Sequence, residues 1–391
     1  MARTPLSLIV ILGALTAFGP LATDMHLPAF PAITAGLGTE SAGVQRALAA
    51  FFAGMGLGQL LYGTVSDRVG RRPALLAGLA LFTLASLAAA MADGIGWFTL
   101  ARFIQGIGGC AGPVLARAIA RDLAEGPAMA RLMSQLMLVS GLAPIVAPTL
   151  GSALLAGFGW RAIFVTLAGY GAVLAVAVIL LLRESLPPER RRRDGPAAVL
   201  GTYLGLLTDR RFIGLALSGA LLSAGMFTYI GASPFVFMEL HGLAPHHYGM
   251  LFGLNAIGIM AVAQGNALAM RRGVPTARAL DLVQAWMGGA ALLLLVVVTT
   301  GFGGFPAVAI ALFCYVAGIG AVMPLASAQA MAAHGRVAGS ASALIGTLQF
   351  GIGALVGWLV GALHDGTALP MAVGIAGCAA LSIAVRWTLA R

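Results

Sequence analysis

The sequence contains no lysine and few charged residues of any kind. Charged side chains make up 9% of the 391 residues, whereas a soluble domain carries about 25%. Apolar residues make up 60% of the chain. So small a charged fraction cannot cover the surface of water-soluble domains of this total length, and the composition therefore indicates that most of the chain lies in a lipid bilayer.

Cysteine is also scarce, and several chemical signatures are missing. Cys110, Cys314 and Cys378 each stand alone in an apolar run, which excludes a disulfide framework and a thiol metal site. The sequence has no Walker-type glycine loop, so ATP is not the predicted energy source. We find no metal-ligand cluster and no nucleophile–base pair, and we expect neither a cofactor, nor a metal, nor an enzyme. His241, His246 and His247 are interpreted as residues of a solvated loop rather than metal ligands.

Long apolar runs dominate what is present. A membrane-spanning helix needs about 20 mostly apolar residues, and these runs are much longer than the roughly 10 alternating residues of a barrel strand. The fold class predicted is therefore an all-α membrane protein with twelve transmembrane helices. The predicted spans are Leu6–Pro28, Gln45–Val65, Pro73–Ala92, Phe98–Ala120, Leu132–Gly157, Ala162–Leu182, Phe212–Met238, Tyr248–Met270, Ala277–Thr300, Pro306–Ala326, Ala338–Ala362 and Pro370–Leu389.

The basic residues lie mainly in gaps between spans on one side. All 23 are arginine, and only Arg46, Arg102 and Arg161 fall outside the cytoplasmic side when the N-terminus is placed there. Arginine-bearing loops resist translocation, so both termini are predicted to be cytoplasmic. The net charge of +10 is thus explained by topology, and no nucleic-acid partner is expected.

One long polar segment divides the spans into two sets of six. It predicts an N-terminal six-helix bundle over residues 1–183, a cytoplasmic linker over 184–211 and a C-terminal six-helix bundle over 212–391. The arginine run 190–193 is either a topology determinant or a contact for anionic membrane lipid. A faint repeat relates the halves, since Gly106-Ile107-Gly108 in the fourth span has a counterpart in Gly318-Ile319-Gly320 in the tenth. Paired bundles around a midplane site are typical of secondary transporters.

A short turn between the second and third spans has an unusual charge order, with one acid before three bases. It reads Gly63-Thr64-Val65-Ser66-Asp67-Arg68-Val69-Gly70-Arg71-Arg72 and resembles the signature loop of the major facilitator superfamily. The fifth span contains Gly141-Leu142-Ala143-Pro144-Ile145-Val146-Ala147-Pro148, which is similar to the glycine and proline motif of antiporters. The gating residues predicted here are Gly63, Asp67, Arg68, Gly70, Arg71, Arg72, Pro144 and Pro148. The prolines alternatively only bend the helix.

The first span narrows the resemblance. Thr23-Asp24-Met25-His26-Leu27-Pro28 and Trp160-Arg161-Ala162-Ile163-Phe164 resemble the Bcr/CflA branch of drug:proton antiporters, whose members export compounds such as bicyclomycin, chloramphenicol-type drugs and sulfonamides. The chain departs from that branch at His26, where tyrosine is usual, and whether His26 titrates during transport stays open. The second half's equivalent loop, residues 265–273, also lacks the acid.

Two charged residues are the candidates for proton coupling. Asp24 lies within the first span beside Pro28, and Arg102 opens a motif in the fourth span similar to the arginine motif of the superfamily. A charge inside the membrane is costly and is a functional candidate by default. The alternatives are that Asp24 ends its span in water and that Arg102 snorkels to the interface.

Polar and deformable side chains in otherwise apolar spans predict a substrate cavity. Each of the polar ones alone could instead be an interhelical hydrogen-bonding group, but the set fits a pocket of broad specificity. The substrate-binding candidates are Asp24, Ser223, Met226, Tyr229, Asn255, Tyr315 and Gln349.

The sequence and the resemblance together predict a proton-coupled secondary transporter that exports small, largely apolar compounds. It is expected to act as a monomer in the bacterial inner membrane, with small-molecule substrates, protons and membrane lipid as its partners. The alternative is a transporter of the same fold that carries a metabolite such as a sugar, an amino acid or an organic acid.

Overall fold

The structure is a computed structural model that describes residues 6–124, 126–191 and 196–390, and within those ranges it is helical with no strand. The N-terminal half contains α1 (Leu6–Thr16), α2 (Phe18–Asp24), α3 (Phe30–Gly36), α4 (Ser41–Val69), α5 (Arg71–Ala90), α6 (Ile95–Leu123), α7 (Gly126–Phe158) and α8 (Trp160–Leu181). The rest contains α9 (Pro196–Thr208), α10 (Arg210–Pro234), α11 (Pro245–Arg271), α12 (Thr276–Thr300), α13 (Gly304–Met331), α14 (Ala338–Ala362) and α15 (Leu369–Leu389).

Among the described residues, 12 segments are long and apolar enough to cross a membrane. They coincide with the twelve predicted spans, so the predicted fold class is confirmed. Several helices begin or end a few residues beyond the predicted limits, as α4 does at Ser41. Composition marks only the part of a helix that lies in hydrocarbon, while the hydrogen-bonded helix continues into the interface.

The first span differs from the continuous helix that its composition predicts. It runs from Leu6 to Gly36 but is interrupted between α1 and α2 and again at a 3-10 turn over Leu27–Ala29. Pro20 and Pro28 explain both interruptions, because a proline lacks the amide hydrogen and its ring clashes with the carbonyl four residues earlier. That carbonyl belongs to Thr16 in the first case and to Asp24 in the second.

The linker contains a helix that the prediction of a polar linker did not include. α9 has a proline as its first residue and an apolar sequence, and proline is favoured at the first position of a helix. Leu206 of α9 packs in a small apolar cluster with Phe212 and Leu215 of α10. Part of the linker is therefore attached to the C-terminal half.

The two halves contact one another chiefly through α4 against α14 and α7 against α11. Near the middle of α4, Thr347 Oγ1 of α14 donates a hydrogen bond to the Gly56 carbonyl at 3.1 Å. We call the end of the bundle that carries residues 182–191 and α9 the linker side. On the opposite side, Ser41 donates to Glu239 at 2.5 Å and Ser152 to the Pro245 carbonyl at 3.3 Å, so the halves are joined there.

Candidate functional site

A cavity of about 230 Å³ lies between the two halves. Its walls come from α2, α4, α7, α10, α11, α13 and α14, and they are mainly apolar. Five phenylalanine rings line it, namely Phe51, Phe52, Phe227, Phe252 and Phe350. The rings of Phe52 and Phe227 lie 4.4 Å apart, and those of Phe227 and Phe350 are stacked at 5.3 Å. Such a surface binds apolar and aromatic molecules with little demand for fixed hydrogen bonds.

Asp24 is the carboxylate on the cavity wall. It is the last residue of α2, at the second interruption of the first span, and its side chain is buried with 4% of the residue exposed. The span continues to Gly36 beyond it, so Asp24 does not end the span in water. A buried carboxylate without a cationic partner is strongly disfavoured unless it takes up a proton.

Arg102 is fully buried on α6 and does not line the cavity. Its guanidinium donates to Gln105 Oε1 and, at 3.1 Å, to the Ala22 carbonyl, and it lies 3.4 Å from His26 Nε2. The group also sits 4.4 Å from the centroid of the Phe51 ring. Full burial and these partners exclude snorkelling to the interface. Arg102 therefore joins the interrupted first span to α6, and its guanidinium also contacts Phe51 of the cavity wall.

The remaining substrate candidates separate into two groups. Met226, Tyr229, Asn255 and Gln349 line the cavity. Within this group Asn255 donates a hydrogen bond to the Tyr229 hydroxyl at 2.6 Å, so these two polar groups partly satisfy each other.

The structure does not bring Ser223 and Tyr315 to the cavity. Ser223 donates to the Gly219 carbonyl in its own helix at 3.0 Å, and Tyr315 donates to the Leu222 carbonyl at 2.9 Å. Both hydroxyls are buried among helices. The Ser223 hydroxyl bonds within α10, and the Tyr315 hydroxyl joins α13 to α10.

Most of the aromatic lining was missing from the sequence-based set. Phe350 follows Gln349 directly, and Phe252 precedes Asn255 by three residues, which places it on the same face of α11. Helical spacing from the polar candidates could therefore have found both. Phe51 and Phe52 carry no comparable signal, because nothing in the sequence shows which face of α4 meets the other half.

The signature loop forms a charged cluster on the linker side. Arg71 pairs with Asp67 at 2.5 Å and with Asp122 at 3.0 Å, and Gly70 makes the turn with φ of 107°. Gly63, Asp67 and Arg71 line a cleft of about 150 Å³, across which lie Gly339 and Ser340 from the first turn of α14. The loop therefore faces the N-terminus of a helix of the other half.

Glu184 completes this cluster and was not among the predicted site residues. Its two oxygens accept hydrogen bonds from the backbone amides of Arg71 at 2.9 Å and Arg72 at 3.1 Å. These are the first amides of α5, which have no partner inside the helix. Partial burial opposes ionisation of Glu184, but the amides of Leu186, Arg71, Arg72 and Ser185 together lower its pKa below the ordinary value.

The other predicted gating residues take different positions. Pro144 lines the central cavity, and Pro148 lies against Gly249 of α11, where a β-carbon would stand 3.5 Å from the Pro148 carbonyl carbon. Arg72 donates to the Ile179 carbonyl at 2.7 Å, and Arg68 lies in the last turn of α4. The prolines of α7 thus contribute to the cavity and to the contact between the halves.

Comparison with known proteins supplies the family. The Major Facilitator Superfamily model matches residues 12–358. An uncharacterized MFS-type transporter, YdgK of Bacillus subtilis, is 37% identical over 94% of this chain and 91% of its own length. A bicyclomycin resistance protein homolog of Haemophilus influenzae is 30% identical over 96% of this chain and 94% of its own length. The multidrug resistance protein MdtL of Klebsiella pneumoniae is 31% identical over 93% of this chain and 90% of its own length.

Solved structures agree on the fold. The xylose transporter XylE of E. coli, in a partially occluded inward-open conformation, superimposes with a TM-score of 0.75 at 14% identity and covers 98% of this chain and 97% of its own. The human organic anion transporter MFSD10 gives a TM-score of 0.69 at 19% identity, with 99% and 100% covered. The twelve spans, the family match and these relatives together show that the chain belongs to the Major Facilitator Superfamily, and they confirm its resemblance to the Bcr/CflA branch.

Proposed function

We propose that this protein exports small, largely apolar compounds across the bacterial inner membrane in exchange for protons. The observation that carries the proposal is Asp24, a buried carboxylate on the wall of an aromatic cavity between the two halves. The relatives named for bicyclomycin resistance and multidrug resistance support the substrate class. Asp24 takes the proton, and the phenylalanine rings bind the compound.

Exchange follows if proton and compound exclude one another. A compound in the cavity contacts Asp24 and favours its deprotonated form. By linkage, protonation of Asp24 weakens binding of the compound by the same factor. Each charge that crosses the membrane potential contributes about 2.3 kcal/mol per 100 mV. One proton moving inward is therefore sufficient to sustain roughly a tenfold or greater gradient of compound.

The linker side is the cytoplasmic side in this proposal, with both termini there, because that side carries nearly all the arginines. Residues 1–183 and 212–391 act as the two moving bundles. Asp67 regulates the opening of the linker side, since its carboxylate faces the N-terminus of α14 across a cleft and a helix N-terminus attracts negative charge. Arg102 acts on Asp24 indirectly, through the position of the interrupted first span.

Transport of a metabolite by the same fold is the alternative. A sugar or an amino acid needs several convergent hydrogen-bonding groups, whereas the polar part of this cavity is small and two of its members, Tyr229 and Asn255, bond to each other. The cavity therefore favours apolar compounds over such metabolites.

A drug-susceptibility panel tests the proposal. The protein is expressed in a bacterial host that lacks its own efflux pumps, with bicyclomycin, chloramphenicol and a sulfonamide as probes. We expect several-fold resistance to at least one probe and a lower cellular accumulation that an uncoupler restores. Asp24→Asn should lose both effects, while Asp93→Asn, at an exposed loop carboxylate, should keep them at matched membrane expression.

Drug export and the role of Asp24 as the proton site are tested by different outcomes of this panel. Unchanged susceptibility and accumulation for all three probes would contradict drug export. Resistance of Asp24→Asn equal to that of the unmodified protein would leave drug export standing and would exclude Asp24 as the proton site.

A further inference from the structure

A groove of about 650 Å³ lies on the side opposite the linker, between α4, α6 and α14. It is separate from the central cavity and shares none of its lining residues. Its floor consists of small residues from two helices that belong to different halves, namely Ala49, Ala50, Ala53, Gly351 and Ala354. A β-carbon built on Gly351 would meet nothing within 4 Å, so this space is open.

Arg46 lines the groove, and no group among the described residues pairs with its charge. It is one of three arginines outside the linker side. Arg102 and Arg161 of that group have partners, since Arg102 bonds to Ala22 and Gln105 and Arg161 bonds to the Ala92 carbonyl at 3.0 Å. Within the ranges that the structure describes, Arg46 has no hydrogen bond and no ion pair, and it is exposed.

The dimensions of the groove match one leaflet of a bilayer. Along α4 it extends from Gly43 to Ala53, which corresponds to about 15 Å at 1.5 Å per residue. The hydrocarbon core of a bilayer is about 30 Å thick, so the groove spans half of it. Trp358 lines the groove near the end of α14, and tryptophan is enriched at the headgroup level.

We propose that this groove binds an anionic phospholipid of the leaflet opposite the linker. Arg46 holds the phosphate, because a guanidinium matches phosphate oxygens in a bidentate arrangement. One acyl chain lies over the small residues below it. Since α4 and α14 form the main contact between the halves, a lipid in the groove touches both bundles and senses their relative position.

Trp358 provides the readout of lipid binding. The protein is reconstituted in vesicles of phosphatidylcholine that contain a minor share of phosphatidylglycerol, with bromine on the acyl chains of one lipid at a time. Bromine quenches tryptophan fluorescence at contact distance. The protein has five tryptophans, so the fluorescence of Trp358 is obtained by subtracting the signal of the Trp358→Phe variant from that of the unmodified protein. We expect brominated phosphatidylglycerol to quench Trp358 several-fold more than its share of the bilayer predicts.

Two variants and one control decide the interpretation. Arg46→Gln should reduce quenching by phosphatidylglycerol to the level set by its share, and Gly351→Leu, which fills the groove and keeps Arg46, should do the same. Arg161→Gln, which removes an arginine on the same side that has protein partners, should leave the preference unchanged.

Quenching in proportion to composition in the unmodified protein would overturn the proposal. Preference retained in Arg46→Gln would overturn the role of the arginine. Preference lost in Arg46→Gln but kept in Gly351→Leu would mean surface attraction without a chain in the groove, and this also contradicts the proposal. If both brominated lipids quench Trp358 equally, and Gly351→Leu but not Arg46→Gln removes this quenching, the groove binds acyl chains without regard to the headgroup. That result also contradicts the proposal.

Discussion

Two buried charged residues of the N-terminal half have very different surroundings. Arg102 has hydrogen-bond acceptors on two helices and an aromatic ring beside it. Asp24 has no ion-pair partner within the described ranges. Hydrogen bonds to two helices fix the Arg102 cation in place, whereas a carboxyl group that lacks a countercharge responds to whatever enters the space beside it. This contrast makes Asp24 the better candidate for reversible protonation and Arg102 a positioning residue.

At the same scale, Glu184 predicts a pH dependence of stability. Its lowered pKa means that the ionised group stabilises the folded chain. That stabilisation is complete above the ordinary pKa of 4.5 and is lost as the pH falls through the lowered value. We expect Glu184→Gln to lower the melting temperature of the detergent-solubilised protein at pH 7, and the difference from the unmodified protein to shrink at acid pH.

Glu189→Gln is the matched control, because this linker carboxylate is exposed and does not cap a spanning helix. Its melting curve should follow the unmodified protein throughout. A difference between Glu184→Gln and the unmodified protein that grows as the pH falls would contradict the assigned role of Glu184.

At the scale of elements, the glycine repeat has a packing role in both halves. A β-carbon on Gly106 of α6 would lie 2.1 Å from the Phe51 carbonyl oxygen of α4, and one on Gly108 would lie 2.4 Å from the Phe82 amide of α5. In α13 the corresponding pair meets α12 at Gly318 and α11 at Gly320. Each of these two helices therefore touches its two neighbours through glycine, which permits close helix approach.

Gly106→Val should accordingly destabilise the N-terminal half. Overpacking of a close contact costs about 1–3 kcal/mol, and here the atom that the new side chain would meet is the Phe51 backbone carbonyl, which cannot move aside as a side chain can. We expect a clearly lower melting temperature in detergent than for Gly157→Val, at a position where a β-carbon meets nothing within 4 Å. Equal melting temperatures for the two variants would show that α4 and α6 do not pack closely at this point.

The elements also show where prediction from sequence succeeds. The twelve spans follow from composition, because a run of apolar residues of that length has few alternatives. The interruptions of the first span depend on Pro20 and Pro28, and a proline in a membrane helix can produce either a bend or a break. The lining of the cavity depends on which face of each helix meets the other half. Hydropathy does not encode that face, so it distinguishes neither the cavity positions of Phe51 and Phe52 nor the interhelical positions of Ser223 and Tyr315.

At the scale of the whole molecule, the two sides of the bundle differ. The halves are joined by hydrogen bonds from Ser41 and Ser152 on the side opposite the linker, whereas a cleft separates the signature loop from α14 on the linker side. The central cavity lies between these two regions. In the proposed cycle this is the form that receives the compound from the cytoplasm, and the reverse arrangement would release it outside.

Proton release on binding tests the central claim most directly. Purified protein in weakly buffered detergent solution is mixed with the probe to which it confers the strongest resistance, and a pH indicator records protons released. We predict that up to one proton is released per bound compound by the unmodified protein and by Asp93→Asn. Asp24→Asn should release none, because its side-chain amide does not ionise near neutral pH. Release from Asp24→Asn equal to that of the unmodified protein would contradict the account.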